Sequence, residues 1–484
     1  MADSSADARP HALFVAGPFQ GHFVPAANLA IKLAAKGFII TFVTTEAFHH
    51  MRSDSGASSH DQRDIFSAAR SKGLDIRYDV VSDGVPVPPD WRSNLEPVFY
   101  AHAHLLQAHV EELLRKLLLA AEPPVTLLIA DTLFVWPSTL AKKYGLPYVS
   151  FWTQPALVFT LYYHMHLLIA NGHFGAIPEN RKDTITYVPG VQAIAPADLM
   201  SHFHKMNTSA VIHQLVVKSF EEVKGADFVL VNTVQELEDE TILALQREKP
   251  FYAVGPIFPD GFTMEMVKAN LWPEHDCSQW LDSMPPSSVL YVSFGSIYPI
   301  SERDFSEIVR GVLDSKVNFL WVLRPGSVGT GSEDDPLPEG FREASRGRGM
   351  VVPWCSQKEV LLHPAVGGFL THCGWNSILE SMWCGVPLLC FPLIVDQPMN
   401  RTLVCQNLRI GLKLGDIGKV RRDHVSNAIR GLMGGEVGES VRREMEEVKK
   451  ATRSALTPSG SSFKNLDQFI VDLLKHLAEK KGGQ

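Results

Sequence analysis

Apolar runs of five to eight residues recur along the chain, and a glycine-rich or polar corner and then a helix-period pattern commonly follow them. HALFVAG (residues 11–17) reads as a strand buried on both faces, PFQGH as the loop leaving it, and 23–36 as an amphipathic helix ended by Gly37. FIITFVTT (38–45) supplies the next strand, so the opening segment is a βαβ unit, the building block of a parallel sheet. The same pattern predicts strands over 74–81, 126–131, 146–152, 226–233 and 251–256. A long helix is expected over about 95–121, and another between Asp131 and Gly145. Residues 1–10 read as disordered, 49–71 as a flexible polar loop, and SDGVPVPPD (82–90) as a proline-rich turn. Residues 153–225 read as mostly helical and irregular, rich in aromatics and histidines.

The logic restarts at SVLYVSFGS (288–296), which is followed by a helix over 302–313. NFLWVLR, GMVVPW, GGFLTH and PLLCF then read as short strands between helices, and charged amphipathic helices run from 442 to 480. The economical architecture is α/β, with two doubly wound parallel sheets facing each other. The expected divisions are a first domain over 1–253, a linker over 254–287, a second domain over 288–460, and a last helix over 461–484.

Composition narrows the function classes. The 484 residues exceed one ordinary core, and 45 basic against 53 acidic side chains give a net charge of −8, unlike a nucleic-acid binder that needs a basic face. No run reaches the roughly eighteen apolar residues of a membrane span. The N-terminus has no basic region before an apolar stretch, so no secretory signal is read and the cytosol is expected. All six cysteines lie in the second half without a C-x-x-C pair, which argues against a disulfide framework or a zinc site. The sequons at Asn207 and Asn400 are therefore expected to stay unused. There is no G-x-G-x-x-G after a strand, no P-loop and no Asp-x-Asp, so dehydrogenase, P-loop and metal-dependent sugar-transferase readings lack their motifs.

The densest chemistry runs from Trp354 to Gln397. Strand GGFLTH meets a tight Cys373-Gly374 corner, and a helix opens at Trp375-Asn376-Ser377. The first N–H groups of a helix lack intrahelical partners and carry the positive end of its dipole, so this is an anion site. His372, Asn376 and Ser377 add side-chain donors, enough for a diphosphate to bind without a metal. Glu380, one turn deeper on the same face, would repel phosphate but accept bonds from two ribose hydroxyls. Trp354 and Gln357 offer an aromatic plane and an amide, suited to a base and its sugar. Asp396 and Gln397 suit a hexose. Singly, each residue has an ordinary structural reading; their joint spacing describes a nucleotide-sugar site.

Over its full length this segment resembles the signature box of plant family-1 UDP-sugar glycosyltransferases, through Trp354, Gln357, the HCGWNS run at 372–377, Glu380, Pro392, Asp396 and Gln397. The resemblance implies two facing Rossmann-like domains of the GT-B type with an interdomain cleft. Trp354 would stack on uracil, Glu380 would bind ribose, and His372, Asn376 and Ser377 would hold the phosphates. Trp375, Asp396 and Gln397 would face the sugar, and a terminal glutamine usually goes with glucose. Cys355 replaces a commoner alanine whose contact uses backbone atoms. Ser296 adds a phosphate contact by the same resemblance, and Thr153 matches a sugar-touching position. Tyr298 and Pro299 stand where relatives often carry small hydroxyl residues, so no contact is transferred there. The last helix would return to pack on the first domain.

His22 sits in the loop leaving the first strand, and PFQGHFVP resembles the motif in which that histidine is the base. Asp131 ends TLLIAD at the same edge, in the family's D-x-x-x-x-W context, where it would fix the imidazole's tautomer. The remaining histidines (His49, His50, His102, His104, His164, His166) read as solvated or acceptor-wall residues. Phe19, Leu133, Trp152 and some aromatics between 155 and 205 are the expected acceptor wall. The expectation is a monomeric, metal-independent, inverting enzyme that moves glucose from UDP-glucose to a hydroxyl of a flavonoid, other phenolic or terpenoid. No cofactor is expected beyond the UDP-sugar co-substrate. The alternatives are another UDP-sugar, a nitrogen or carboxylate acceptor, and a catalytically silent UDP-sugar binder.

Overall fold

A strand covered by helices on both faces needs an apolar residue at nearly every position, and this chain's strands are buried in that way. The computed structural model describes residues 9–53, 64–86, 95–120, 123–175, 181–204, 211–259, 261–264, 266–267, 272–329 and 335–482. β1 (His11–Val15), β2 (Ile39–Thr45), β3 (Ile76–Val81), β4 (Leu127–Asp131), β5 (Tyr148–Trp152), β6 (Phe228–Val231) and β7 (Phe251–Ala253) form one sheet. β8 (Val289–Ser293), β9 (Asn318–Val322), β10 (Gly349–Val352), β11 (Val366–Thr371), β12 (Leu388–Cys390) and β13 (Gly411–Lys413) form the other. Every pairing in both sheets is parallel. The fold is the GT-B arrangement of two Rossmann-like α/β units.

The strand order is β3-β2-β1-β4-β5-β6-β7 in the first sheet and β10-β9-β8-β11-β12-β13 in the second. Chain progression therefore reverses between β1 and β4, and again between β8 and β11. Loops leaving the two strands at such a reversal diverge to opposite faces and open a crevice at the carboxyl edge.

Several boundaries differ from the pattern. The helix expected over 95–121 breaks at Leu105 into Glu96–His104 and Leu106–Ala120, because the first piece packs on helix Val211–Glu222 and the second on β3 and helix Pro137–Lys143. Ala121 lies outside the described residues. Within the expected loop at 49–71, helices occupy Glu46–Ser53 and Ser67–Ser71, while 54–63 lie outside the described residues. Asp83 Oδ2 accepts from Ala47 N at 2.7 Å, a cap 36 residues away that no local pattern announces. Residues 1–8, the end of the proline-rich turn at 87–90 and the sequon at Asn207 also lie outside the described residues. Arg9, expected to be disordered, donates to Gly37 O at 2.8 Å. β13 has no counterpart in the sequence reading; its GLK holds one strongly apolar residue, Leu412, so no apolar run marks it.

Phe14, Phe23, Phe42, Phe48, Phe66 and Phe151 are fully buried against the first sheet, with Phe23 stacked on Phe48 at 3.8 Å. The last helix, Ser461–Gly482, inserts Leu466, Phe469 and Leu473 into that cluster. Phe469 meets both Phe228 and Tyr252 at 5.7 Å, and Tyr252 donates its hydroxyl to Asp472 at 2.7 Å. The chain's end thus covers a face of the domain its beginning builds. Among the described residues no helix is long and apolar enough to cross a membrane, and all six cysteines are free.

Phe469→Ala should cost about 3–5 kcal/mol, the usual penalty for emptying a buried phenyl site. Urea unfolding followed by tryptophan fluorescence checks this; an unchanged midpoint would show that the helix contributes little to the first sheet's core.

Candidate active site

Both crevices open onto one cleft of about 340 Å³. Phe19, His22, Leu133 and Thr153 line it from the first sheet's edge. Ser296, Trp354, Cys355, Gln357, His372, Trp375, Asn376, Ser377, Glu380, Asp396 and Gln397 line it from the second.

His22 lies in the first turn of helix Gln20–Ala35, and Asp131 is the last residue of β4. β1 and β4 pair with Val15 opposite Ala130, so the residues that follow each strand emerge side by side. His22 Nδ1 is 2.7 Å from Asp131 Oδ2, while Asp131 Oδ1 accepts from Leu133 N at 2.9 Å. This arrangement puts a proton on Nδ1 and leaves Nε2 as the lone-pair nitrogen. Thr153 Oγ1 also lies 3.2 Å from Nδ1, so its observed partner is the imidazole. Burial acts to lower the pKa of His22, but the charge and hydrogen bond of Asp131, with Asp396 farther off, outweigh it and raise the value. Asp396 is itself pushed up to about 6, chiefly by burial; its bond from Asn400 Nδ2 at 2.6 Å and the nearby His22 act in the opposite direction.

On the facing side, helix Trp375–Cys384 begins at Gly374 with no capping side chain, so its first N–H groups point into the cleft unclaimed by a cap. Cys373 takes a left-handed φ of 66°, which turns the strand sharply into the helix. The His372 ring is clasped by two glycines. A Cβ at Gly295 would approach its Nε2 to 2.6 Å, and one at Gly374 to 2.5 Å. Burial holds His372 down at about 4, so its ring is neutral, a hydrogen-bonding group rather than an imidazolium.

Gln357 Nε2 donates to Ser377 Oγ at 2.9 Å and to Glu380 Oε2 at 2.7 Å, so amide, hydroxyl and carboxylate are already associated beside Trp354. Gln397 Oε1 accepts from Leu393 N at 2.7 Å and Ile394 N at 3.1 Å, which leaves its amide nitrogen as the remaining donor of a residue that lines the cleft. Asn400, the second sequon, is fully buried and also donates to Cys373 O at 2.9 Å, so it offers no acceptor for a glycan.

Other expected residues sit differently. Trp152 does not line the cleft: it is 1% exposed, donates its indole N–H to Pro155 O at 3.0 Å and packs on Phe159, Tyr162 and Phe220. Phe159 and Tyr162 are core for the same reason: helix Ala156–Tyr163 is apolar on every side and must be covered all round. Among the described residues, no aromatic between 155 and 205 lines the cleft; Phe99 and Ile212 do. His102 and His164 are buried rather than solvated; His102 Nε2 faces Asp83 Oδ1 at 3.6 Å and His164 Nδ1 lies 3.0 Å from Thr160 O. The side chain of Asn376, expected on the phosphates, spans the cleft and donates to Gly21 O at 3.1 Å. That carbonyl is available because Pro25, four residues on, has no N–H to claim it. Trp375 donates its indole N–H to Asn232 O at 2.7 Å, another bond between the two units.

Two residues went unnoticed in the sequence as site builders. Asn232, directly after β6, accepts from Ile257 N at 2.8 Å as well as holding Trp375. Arg324, buried just after β9, donates to Gly295 O and Tyr298 O at 3.0 Å each and so shapes the loop carrying Ser296. A polar residue closing an apolar run was the signal that singled out Asp131, and it applies to both.

A family model described as UDP-glucoronosyl and UDP-glucosyl transferase matches residues 258–441. UDP-glycosyltransferase 86A1 of Arabidopsis thaliana is 49% identical over 477 residues, 98% of this chain and 96% of the relative. (R)-mandelonitrile beta-glucosyltransferase of Prunus dulcis is 35% identical over 491 residues, 98% of this chain and 99% of the relative. The solved structure of Phytolacca americana UGT2 complexed with UDP-2fluoro-glucose and pterostilbene superposes with a TM-score of 0.78 at 26% identity, covering 96% of this chain and 99% of that one.

The raised pKa of His22 sets a pH dependence. Only neutral imidazole can accept a proton, so kcat/KM should climb with pH through a midpoint above 6.5. Asp131→Asn removes the charge that raises the value. It should move that midpoint to lower pH and cut kcat by about 100-fold or more; an unmoved acid limb would show that another group titrates.

Proposed function

The chain belongs to the plant family-1 UDP-glycosyltransferases, and we propose that it transfers glucose from UDP-glucose to a hydroxyl of a small lipophilic acceptor, with inversion at the anomeric carbon. One observation carries the reading: the His22–Asp131 pair and the uncapped end of helix Trp375–Cys384 share one cleft. His22 Nε2 takes the acceptor's proton while that oxygen bonds to C1 of the sugar. The bond from C1 to the β-phosphate oxygen breaks, and its electron pair leaves on UDP. Asp131 stabilises the imidazolium as it forms. The helix N–H groups and neutral His372 stabilise charge growing on the β-phosphate, the role that otherwise needs a cation. Attack from the face opposite the leaving group turns an α-linked donor into a β-glucoside.

The donor assignment rests on Gln397, whose amide nitrogen suits a sugar hydroxyl, and on Asp396 beside it. Relatives support it by name: one is a beta-glucosyltransferase, and a solved neighbour holds UDP-2fluoro-glucose. Phe19, Phe99, Leu133 and Ile212 give the acceptor side an apolar wall, fitting a flavonoid, another phenolic or a terpenoid.

His22→Ala should reduce kcat by about a hundred- to ten-thousand-fold; turnover within a few-fold of wild type would remove the base assignment. Glu380→Ala should weaken UDP by about a hundredfold or more, the loss of two hydrogen bonds to a charged group. Calorimetry with UDP checks this, and unchanged affinity would move the ribose contact elsewhere. EDTA should leave turnover unaltered, whereas loss reversed by manganese would defeat the metal-free mechanism. A competition among UDP-sugars in one acceptor assay tests glucose itself.

A further inference from the structure

The loop that carries Asp396 and Gln397 contains an outlier. Val395 adopts a φ of 60°, a left-handed conformation that a β-branched residue strongly resists. Something outside the residue has to hold it there. Within the loop, Gln397 Oε1 gathers Leu393 N and Ile394 N, and Gln397 N donates to Ile394 O at 3.2 Å, which closes a turn with Val395 at its second position but leaves that residue's own N–H and C=O unused. The polar groups of Val395 are satisfied from the other unit. Val395 N donates to Ser201 Oγ at 2.9 Å, and Ser201 N donates to Val395 O at 3.2 Å. A single serine thus closes a reciprocal pair of hydrogen bonds around the strained residue, 194 positions away in sequence.

Ser201 opens a short 3-10 turn, and a second such turn, Pro196–Asp198, lies just before it. That stretch is tied to the same helix from a second side. Asp198 Oδ1 is 3.1 Å from Arg401 Nη2, a pair whose side chains are 15% and 7% exposed. Arg401 lies on helix Gln397–Thr402, which begins with the sugar-facing glutamine, and it also reaches Asp416 at 2.8 Å. Gln406 Nε2 donates to Asp198 Oδ2 at 3.3 Å, and Asn407 Nδ2 to Gln192 Oε1 at 2.9 Å. Residues 192–201 therefore form a strap from the first unit that grips the sugar loop and its helix in the second.

We propose that Ser201 is a positioning residue for the donor hexose: its two bonds hold Val395 left-handed and so set where Asp396 and Gln397 present their side chains. The inference rests on reading those two residues as hexose contacts. It assigns part of the donor-sugar selectivity to the domain that does not bind the nucleotide. UDP alone has no hexose, so its affinity is independent of the strap.

The test compares wild type with Ser201→Ala, Ser201→Thr and the double variant Ser201→Ala/Val395→Gly. Steady-state kinetics use UDP-glucose and UDP-galactose, and calorimetry uses UDP. Whichever UDP-sugar the wild type prefers serves as reference, so a failed glucose assignment is recognised in the wild type and leaves the test intact. Ser201→Ala should raise KM for the reference donor about fivefold and shrink the preference over its epimer, with UDP affinity within twofold. Ser201→Thr keeps the hydroxyl and should retain wild-type selectivity. Glycine at 395 adopts the left-handed conformation without a side-chain penalty and should recover part of the lost KM. Unchanged KM and selectivity in Ser201→Ala would overturn the proposal, as would a parallel loss of UDP affinity, which marks general loosening between the units.

Discussion

Strand direction is the constraint on which everything else in this molecule rests. When all neighbours in a sheet are parallel, every strand ends at the same edge, and every following loop starts there. Seven strands of the first unit therefore deliver His22, Asp131, Thr153 and Asn232 to one edge, and six of the second deliver Ser296, Arg324, His372 and Gly374 to another. The reversal of strand order opens a crevice in each edge. With the crevices facing each other, the uncapped helix end on one side shares a cleft with the His22–Asp131 pair on the other.

The seam between the two edges is built from polar groups whose supply is tightly matched. Pro25 frees one carbonyl in the histidine's helix, and Asn376 takes it. Asn232 offers its carbonyl to Trp375 and its side-chain oxygen to Ile257. Side chains that a linear motif suggests are reserved for ligand thus also hold the two units in register. The backbone N–H groups of helix Trp375–Cys384 need no side chain, so an anion site at its uncapped end survives that use of Asn376. Electrostatics follows the same division. His372 stays neutral because burial dominates it, while His22 is raised because a buried carboxylate touches it. Two imidazoles on facing edges acquire opposite tendencies, one suited to donating a hydrogen bond and one to taking a proton.

Much of this was legible in the chain because parallel strands leave a one-dimensional trace. A strand buried on both faces is a continuous apolar run, and the residue after it is automatically at the ligand edge, which is why Asp131 stood out. The stretch from Trp354 to Gln397 was legible for a different reason: strand, corner and helix are contiguous, so its spacing encodes the geometry directly. The failures share a cause as well. Trp152 reads as an edge aromatic, but whether the side chain ending a strand turns toward the cleft or into the helix layer depends on what covers that layer, here Phe159, Tyr162 and Phe220. The helix at Glu46–Ser53 was hidden because its first turn is capped by Asp83, a residue no local window includes.

By itself the sequence determined the α/β class, the two-sheet arrangement, the segment that lines the second side of the cleft and the identity of the histidine and aspartate that face each other. Each of these depends on short-range order: periodicity, contiguous motifs, or the rule that a parallel strand ends at the ligand edge. Only the tertiary structure decided which amides span the seam, which aromatics are core, and that Ser201 closes on a left-handed Val395. Those outcomes hinge on pairs separated by up to hundreds of residues, and a hydrogen bond, with its range of about 3 Å, leaves no periodic trace along the chain.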